Sequence, residues 1–139
     1  MSVADILKQL DNDTDSNIVN LTSRKIKDVK NNMLQKLQLS REDLKSLHKK
    51  LKDYRYCTDL TDLQSGNYIR WISLKDPDNL RLTNGAFLMD IKIYAEGVQL
   101  VCKNNFGRVF QFKFDEAMIF QKLNPQEKVI LSVLDYLDK

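Results

Sequence analysis

The sequence predicts an α+β protein, in which an N-terminal helical hairpin leads into a small antiparallel β domain followed by a C-terminal helix. Three successive patterns along the chain support this fold class. As far as Tyr56, apolar residues recur at helical spacing. Between Asn67 and Leu123, short runs alternate apolar with polar residues and are separated by turn residues. After Pro125 the helical spacing returns, which predicts two domains: a basic amphipathic helical region, 1–56, and a β domain with its C-terminal helix, 57–139.

The first two helices are predicted from their apolar positions. A short helix is expected over residues 3–10, before the acidic segment DNDTDS, whose side chains compete for backbone hydrogen bonds. A second helix is expected from about residue 15 or 16 to residue 37. Its residues Val19, Ile26 and Met33 lie seven apart, as in a coiled-coil heptad.

The third helix has a clearer start. Ser40 is predicted to cap it, and Asp43 three residues later completes an imperfect capping box. Its apolar face then steps by three or four residues through Leu44, Leu47, Leu51 and Tyr54. Two amphipathic helices joined near residues 38–40 predict an antiparallel hairpin.

The β domain is predicted from four or five short strands. The segment 67–74 is rich in aromatic and β-branched residues, and turn clusters follow at 76–79 and 83–85. Later strands are expected at 87–93, 98–103, 110–114 and 118–123. A small barrel or a curled sheet, SH3-like or Tudor-like, fits this number of strands. Asn124 and Pro125 then predict the N-cap and first residue of the C-terminal helix.

Composition and charge favour a small intracellular protein. With 139 residues, of which 42% are hydrophobic, the chain can bury one domain core. It contains no apolar run long enough to span a membrane, so we expect no membrane association. The N-terminal segment lacks the basic start of a signal peptide. Cys57 and Cys102 fit no metal or redox motif and are expected to be reduced thiols, as in the cytoplasm.

No catalytic or metal-binding motif is recognisable. The single histidine, His48, lies among lysines and is expected at the surface. Asp11, Asp13 and Asp15 alternate as calcium-loop ligands do, but the glycine and final glutamate of such a loop are missing. We therefore expect no enzyme activity, no metal site and no cofactor.

The positive charge is concentrated in the helical region. Residues 16–56 contain eleven lysines and arginines against four acidic residues, an excess of seven, whereas the whole chain carries a net charge of +3. Basic residues on one helical face can neutralise phosphates by counterion release, whereas the ordinary alternative is a solvated face. The candidate nucleic-acid contacts in this region are Arg24, Lys25, Lys27, Lys30, Lys45, Lys49 and Lys52.

An aromatic strand supplies three further candidates. Strand alternation places Tyr68 and Arg70 on one face and Trp71 on the other. A solvent-facing Trp71 beside a second aromatic ring would stack on bases or bind a peptide. We favour the interpretation in which Trp71 lies in the core, with Tyr68 and Arg70 at its rim.

Assembly is the third hypothesis. The apolar faces of the second and third helices can pair within one chain or between two chains. The candidate assembly residues are Val19, Ile26, Met33, Leu44, Leu47 and Leu51.

Four segments, GNYIRWISL, LTNGAFLMDIKI, GVQLVCKNNFGRVFQFKF and IFQKLNPQEKVILSVLDYL, resemble uncharacterised proteins of giant nucleocytoplasmic DNA viruses. They lie in the part of the chain from about residue 60 to residue 138. The resemblance implies a viral factory in the host cytoplasm, or the virion, and it implies no functional residues.

Taken together, the sequence predicts a non-catalytic binding or assembly protein that acts through a small β domain and amphipathic helices. Its partner would be a protein or a second copy of the chain. The alternative is a nucleic-acid-binding protein that uses the basic helical region.

Overall fold

The computed structural model describes residues 22–138, which form an α+β architecture of three α-helices and one six-stranded antiparallel sheet. The predicted α+β class is therefore confirmed. The described residues form two compact units: a helical unit of residues 22–55, 59–62 and 123–138, and a sheet unit of residues 56–58 and 63–122. The helix predicted at 3–10, and Val19, lie outside the described residues.

The helical unit contains three α-helices and one short 3-10 turn. Helix α1 spans Ser23–Gln35, α2 spans Arg41–Lys50 and α3 spans Pro125–Leu137. The 3-10 turn spans Leu60–Asp62.

The helix that contains Ile26 begins at Ser23, so its predicted start at residue 15 or 16 is wrong. Thr22 has an extended backbone, with φ of −110°, and its hydroxyl accepts a hydrogen bond from the Lys25 N–H at 3.2 Å. Such a cap stabilises a helix by about 1 kcal/mol, because it satisfies a backbone donor that has no partner inside the helix. The helix ends at Gln35, and Gln38 then adopts a positive φ of 53°.

The starts of the other two helices are confirmed. The Ser40 hydroxyl accepts a hydrogen bond from the Asp43 N–H at 3.1 Å. At α3, the Asn124 side chain accepts from the Glu127 N–H at 2.8 Å, and the Glu127 carboxylate accepts from the Asn124 N–H at 3.2 Å. This reciprocal pair is a complete capping box, with Pro125 at the first helical position.

The core of the helical unit is formed by apolar side chains of α1 and of the C-terminal helix, which pack against each other. Ile26 of α1 forms a buried cluster with Ile130 and Leu131 of α3, and Leu123 and Leu134 pack against it. Because of this packing, α3 belongs to the same unit as α1, whereas the sequence-based division at residue 57 groups it with the strands.

A buried ion pair also lies inside the helical unit. Arg55 Nε donates to Glu127 Oε2 at 3.1 Å, and the two side chains are only 2% and 4% exposed. A second guanidinium nitrogen of Arg55 donates to the Asp62 carbonyl at 2.6 Å. The pair therefore connects β1, the 3-10 turn and the first turn of α3.

The six strands follow the order β1-β6-β2-β3-β4-β5 in the sheet. In chain order they are β1 (Tyr54–Tyr56), β2 (Tyr68–Ser73), β3 (Ala86–Tyr94), β4 (Gly97–Lys103), β5 (Val109–Lys113) and β6 (Ala117–Lys122). A second 3-10 turn, Phe114–Glu116, joins β5 to β6.

The sheet curls strongly but stays open. The ring of Trp71 on β2 stacks on Phe112 of β5, with centroids 4.6 Å apart and planes 22° apart. Three strand spacings separate β2 from β5, which corresponds to about 14 Å in a flat sheet. Curling therefore brings the two rings together across one face. Because β5 and β1 remain edge strands, the predicted closed barrel is wrong and the curled alternative describes the sheet.

A β-bulge interrupts the alternation of β3. The register with β4 shifts between Leu88 and Asp90. The extra residue reverses the alternation, so Phe87 projects to one side of the sheet, and Ile91 and Ile93 project to the other.

Candidate functional site

A pocket in the helical unit brings together basic residues that are far apart in the sequence. It has a volume of about 290 Å³. Its walls come from α1, from the segment after α2, and from α3 with the residue before its cap. We call it the lysine pocket and define it by Ser23, Ile26, Lys27, Lys30, Lys52, Asp53, Leu123, Lys128, Leu131, Ser132 and Asp135.

Three lysines of the pocket are exposed and come from different elements. Lys27 lies on α1, Lys52 follows α2, and Lys128 lies in the first turns of α3. The floor is apolar, since Ile26 and Leu131 belong to the core of the helical unit. An apolar floor lowers the local dielectric constant, so a bound anion would interact with these ammonium groups more strongly than it would in water.

Lys30 has a different role from the one predicted. Its side chain is only 4% exposed, and its Nζ donates to the Leu51 carbonyl at 2.7 Å and to the Tyr54 carbonyl at 2.9 Å. Burial, and then the charge of Lys27, lower the pKa of Lys30, while Asp53 raises it. Lys30 therefore fixes the end of α2 and is not a surface cation, because two protein carbonyls bind its ammonium group.

One of the two carboxylates in the pocket is already engaged. Asp135 accepts hydrogen bonds from the Ser23 hydroxyl at 2.6 Å and from the Ser23 N–H at 2.8 Å. These bonds, the side-chain one first, together with the charge of Lys27, lower the pKa of Asp135, although its slight burial acts in the opposite direction. Asp135 therefore holds the first residue of α1 and stays ionised, while Asp53 remains the second carboxylate of the lining.

The other predicted basic residues lie on exposed surface outside the pocket. Lys25 is exposed on α1, and Lys45 and Lys49 are exposed on α2. Arg24 forms a surface ion pair with Asp138 at 3.5 Å. Sequence reasoning missed Lys128, because it interpreted the C-terminal helix only through its apolar stripe.

The three candidate contact residues of the aromatic strand, Tyr68, Arg70 and Trp71, lie on the two faces of the sheet that their alternation predicts. Trp71 is 9% exposed and stacked in the sheet core, which agrees with the favoured interpretation and excludes it as a solvent-facing contact. Arg70 is half-buried, and its Nε donates to the Thr83 carbonyl at 2.8 Å. The Tyr68 hydroxyl donates to the Asn84 carbonyl at 2.9 Å.

The candidate assembly residues lie largely inside the helical unit. Ile26, Leu47 and Leu51 are buried, and Met33 and Leu44 are half-buried. Burial within the chain makes the first three unavailable to a partner, whereas Met33 and Leu44 keep part of their surface exposed.

Other chemistry is sparse in the described part of the chain. Among residues 22–138, no group of three or more His, Cys, Asp or Glu side chains is arranged to hold a metal ion. No helix in this range is long and apolar enough to cross a membrane. Cys57 and Cys102 are both free and buried, and burial raises the pKa of the Cys102 thiol to about 12.

Comparison with protein-family models, with curated proteins and with solved structures finds no match to this chain. Its function therefore has to be inferred from the chemistry of its own residues.

Proposed function

We propose that the chain is a non-catalytic binding protein whose helical unit binds phosphate groups of a nucleic acid in the lysine pocket. The observation that carries this proposal is the convergence of Lys27, Lys52 and Lys128 from three separate elements on one cavity. Lysine ammonium groups bind phosphate as point charges, and each neutralised phosphate releases condensed counterions.

The charged groups that are free to contact a ligand favour an anion. Lys30 is bound by two carbonyls and Asp135 by Ser23, so neither is available to a ligand. Among the charged residues of the lining, this leaves three lysines, Lys27, Lys52 and Lys128, and one carboxylate, Asp53. The pocket therefore carries a positive excess where a ligand would bind.

A polymer fits this surface better than a small anion does. Outside the pocket, the helical unit also exposes Lys25, Lys45 and Lys49. A broad positive surface attracts a polyanion over a long range and accelerates its association. Nucleic acid, the alternative partner in the sequence-based prediction, has this chemistry.

For the sheet, we propose that the part from β2 to β6 is an open SH3-like fold. The strand order β6-β2-β3-β4-β5 and the curl that stacks Trp71 on Phe112 support this assignment. The 3-10 turn Phe114–Glu116 also supports it, because it carries the chain from β5 to β6, which pairs with β2.

The test is fluorescence anisotropy with a labelled mixed-sequence DNA over a range of salt concentrations. The triple variant Lys27→Glu, Lys52→Glu, Lys128→Glu removes the three pocket cations. The matched control, Lys36→Glu, Arg41→Glu, Lys50→Glu, makes the same charge change at exposed basic residues that do not line the pocket. Three lost phosphate contacts should reduce the slope of log affinity against log salt by about 2–3.

The control decides between a site and a diffuse charge effect. We expect the control variant to lose clearly less affinity and less slope than the pocket variant. Equal losses in both variants would reject the pocket as the site. An absence of binding at low salt would reject a nucleic-acid partner altogether.

Self-association is a second candidate, favoured by one observation on α3. Val129, Tyr136 and Leu137 are at least half-exposed, and their spacing of seven and eight residues places them along one side of the helix. A single apolar stripe of this kind is self-complementary about a twofold axis. Light scattering after size-exclusion chromatography tests it: a dimer that persists in high salt and is lost in Tyr136→Asp would support this candidate.

The cellular setting stays a prediction. An intracellular, cytoplasmic protein is compatible with a nucleic-acid partner, and the viral context rests on the resemblance of four sequence segments alone.

A further inference from the structure

The sheet unit presents a second surface, on the side of the sheet opposite the Trp71 core. Four residues lie directly across from one another on four neighbouring strands: Tyr68 pairs with Phe87, Phe87 with Lys103, and Lys103 with Val109. Directly opposed residues of antiparallel strands project to the same face. Tyr68 is on the opposite face from Trp71 because the two differ by three positions along β2.

Two aromatic rings in this row are held in place. Phe87 is 44% exposed and meets the half-buried Tyr68 edge-to-face, with ring centroids 5.0 Å apart. The Tyr68 hydroxyl is fixed by its bond to the Asn84 carbonyl. Beside it, Gly85 has a φ of +99°, and a Cβ at that position would come within 2.5 Å of the Tyr68 ring. The Tyr68 ring is therefore fixed, and Phe87 packs against this fixed ring.

A third aromatic ring lies on the turn that joins β4 to β5. Phe106 is 95% exposed. The turn is nonetheless well defined, since the Asn104 side chain accepts from the Phe106 N–H at 2.9 Å and from the Arg108 N–H at 3.0 Å. Lys103 and Val109 flank this turn, so Phe106 lies beyond the strand ends, next to the Lys103–Val109 pair of the row.

The cations around these rings determine the sign of the charge that a ligand must carry. Lys103 lies within the row, and Arg108 is exposed beside Phe106. Lys92 projects to the same face, opposite Gln99, and Asp90 is a carboxylate on this face, where it accepts a hydrogen bond from the Ile91 N–H. Exposed aromatic rings among cations are complementary to a ligand that has both flat apolar rings and negative charge.

We propose that this surface, the Phe87 face (Tyr68, Phe87, Lys103, Phe106 and Arg108), binds single-stranded nucleic acid. Unpaired bases stack on Phe87 and Phe106, and the adjoining phosphates contact Lys103 and Arg108. The ligand is a single strand because the bases of a duplex are stacked on one another, so their faces are not available to Phe87 and Phe106. This inference rests on the proposed function for the class of ligand, but it uses a different unit and a different interaction.

The test measures how tightly the full chain binds each of three labelled probes. The probes are a mixed-sequence single strand of about a dozen nucleotides, the corresponding duplex, and an abasic strand with the same phosphates. Phe87→Ala and Phe106→Ala should each weaken binding of the single strand by about tenfold or more. Neither variant should alter binding of the abasic strand. The matched control is Ile93→Ala, a 77% exposed apolar residue that the bulge places on the other side of β3.

Each outcome has a definite meaning. Losses with the single strand alone, with Ile93→Ala unchanged and tryptophan fluorescence native in every variant, would support base stacking on the Phe87 face. Losses below twofold in both phenylalanine variants would overturn it, as would a duplex or abasic strand that binds the pocket variant as tightly as the single strand does. If the pocket variant no longer binds any of the three probes while the phenylalanine variants bind all of them normally, the proposed function survives and this inference fails. If no probe binds the native chain, both fail.

Discussion

Replacing Lys30 with methionine is expected to destabilise the helical unit far more than the same replacement of Lys27. The two lysines lie one turn apart on α1, but Lys27 is exposed and Lys30 is buried. Methionine keeps the apolar stem of Lys30 and removes the donors to the carbonyls of Leu51 and Tyr54. The pair of variants therefore isolates the effect of the buried ammonium group.

The magnitude follows from these two bonds. A hydrogen bond from a charged donor stabilises a fold by about 1.5–3 kcal/mol, so the gross loss is about 3–6 kcal/mol. Removing a buried charge also relieves part of its desolvation penalty. We expect a net loss of about 2–4 kcal/mol in the free energy of unfolding for Lys30→Met, and a change within about 0.5 kcal/mol for Lys27→Met.

The pH dependence has a definite sign. Burial lowers the pKa of Lys30 below its ordinary 10.5 in the folded chain, so the unfolded chain keeps this proton to higher pH. Stability from this group therefore rises with pH between the lowered pKa and 10.5. The free-energy gap between the native chain and Lys30→Met should widen over this interval, because the variant has no such group.

Urea unfolding followed by far-ultraviolet circular dichroism measures the helices, and the fluorescence of Trp71 measures the sheet unit in the same samples. Lys30→Met should lower the midpoint of the dichroism transition without changing its slope. Equal midpoints for Lys30→Met and Lys27→Met would refute the reasoning and would return Lys30 to the set of surface cations.

Three further predictions test buried chemistry. Glu127→Gln keeps the capping geometry but removes the carboxylate from Arg55, and should destabilise by about 3–5 kcal/mol, measured by urea unfolding. The double variant Arg55→Met, Glu127→Leu should recover most of this loss, and strictly additive losses would contradict it. Because the pKa of the Cys102 thiol is raised from 9.0 to about 12, its stabilising contribution should fall as pH rises from 9.0 towards 12, and Cys102→Ala should lose this dependence in alkaline unfolding curves. Fast alkylation of the folded thiol near neutral pH would contradict its burial. Gly85→Ala forces a Cβ to 2.6 Å from the Ile69 carbonyl, so tryptophan fluorescence should report a loss above about 2 kcal/mol, and native stability would exclude the close approach.

Local features of the fold were predictable because their causes lie within a few residues. Ser40 and Asn124 cap helices because each side chain reaches a backbone N–H three residues later. The opposite faces of Tyr68 and Trp71 follow from strand geometry alone. The bulge at Met89 was not predictable from alternation, since it depends on the register that β4 imposes.

The candidate sites were predictable only in part. The basic character of the helical region was evident, but residue type does not distinguish a buried lysine from an exposed one. Lys30 is buried because the end of α2 brings two carbonyl groups to its ammonium. Phe87 was visible as an apolar strand residue, but its place in a row with Lys103 and Val109 required the pairing of β3, β4 and β5.

The sequence by itself determined the α+β class, the caps of two helices, and which side chains of β2 lie on opposite faces of the sheet. These features depend on periodicity and on hydrogen bonds between near neighbours. The tertiary structure alone decided that the sheet stays open, that α3 packs with α1, and that Lys27, Lys52 and Lys128 share a pocket. These features depend on contacts such as the one between Ser23 and Asp135, which are 112 positions apart in the chain. Contacts over that separation form when apolar faces are buried together, and local spacing carries no information about which faces will meet.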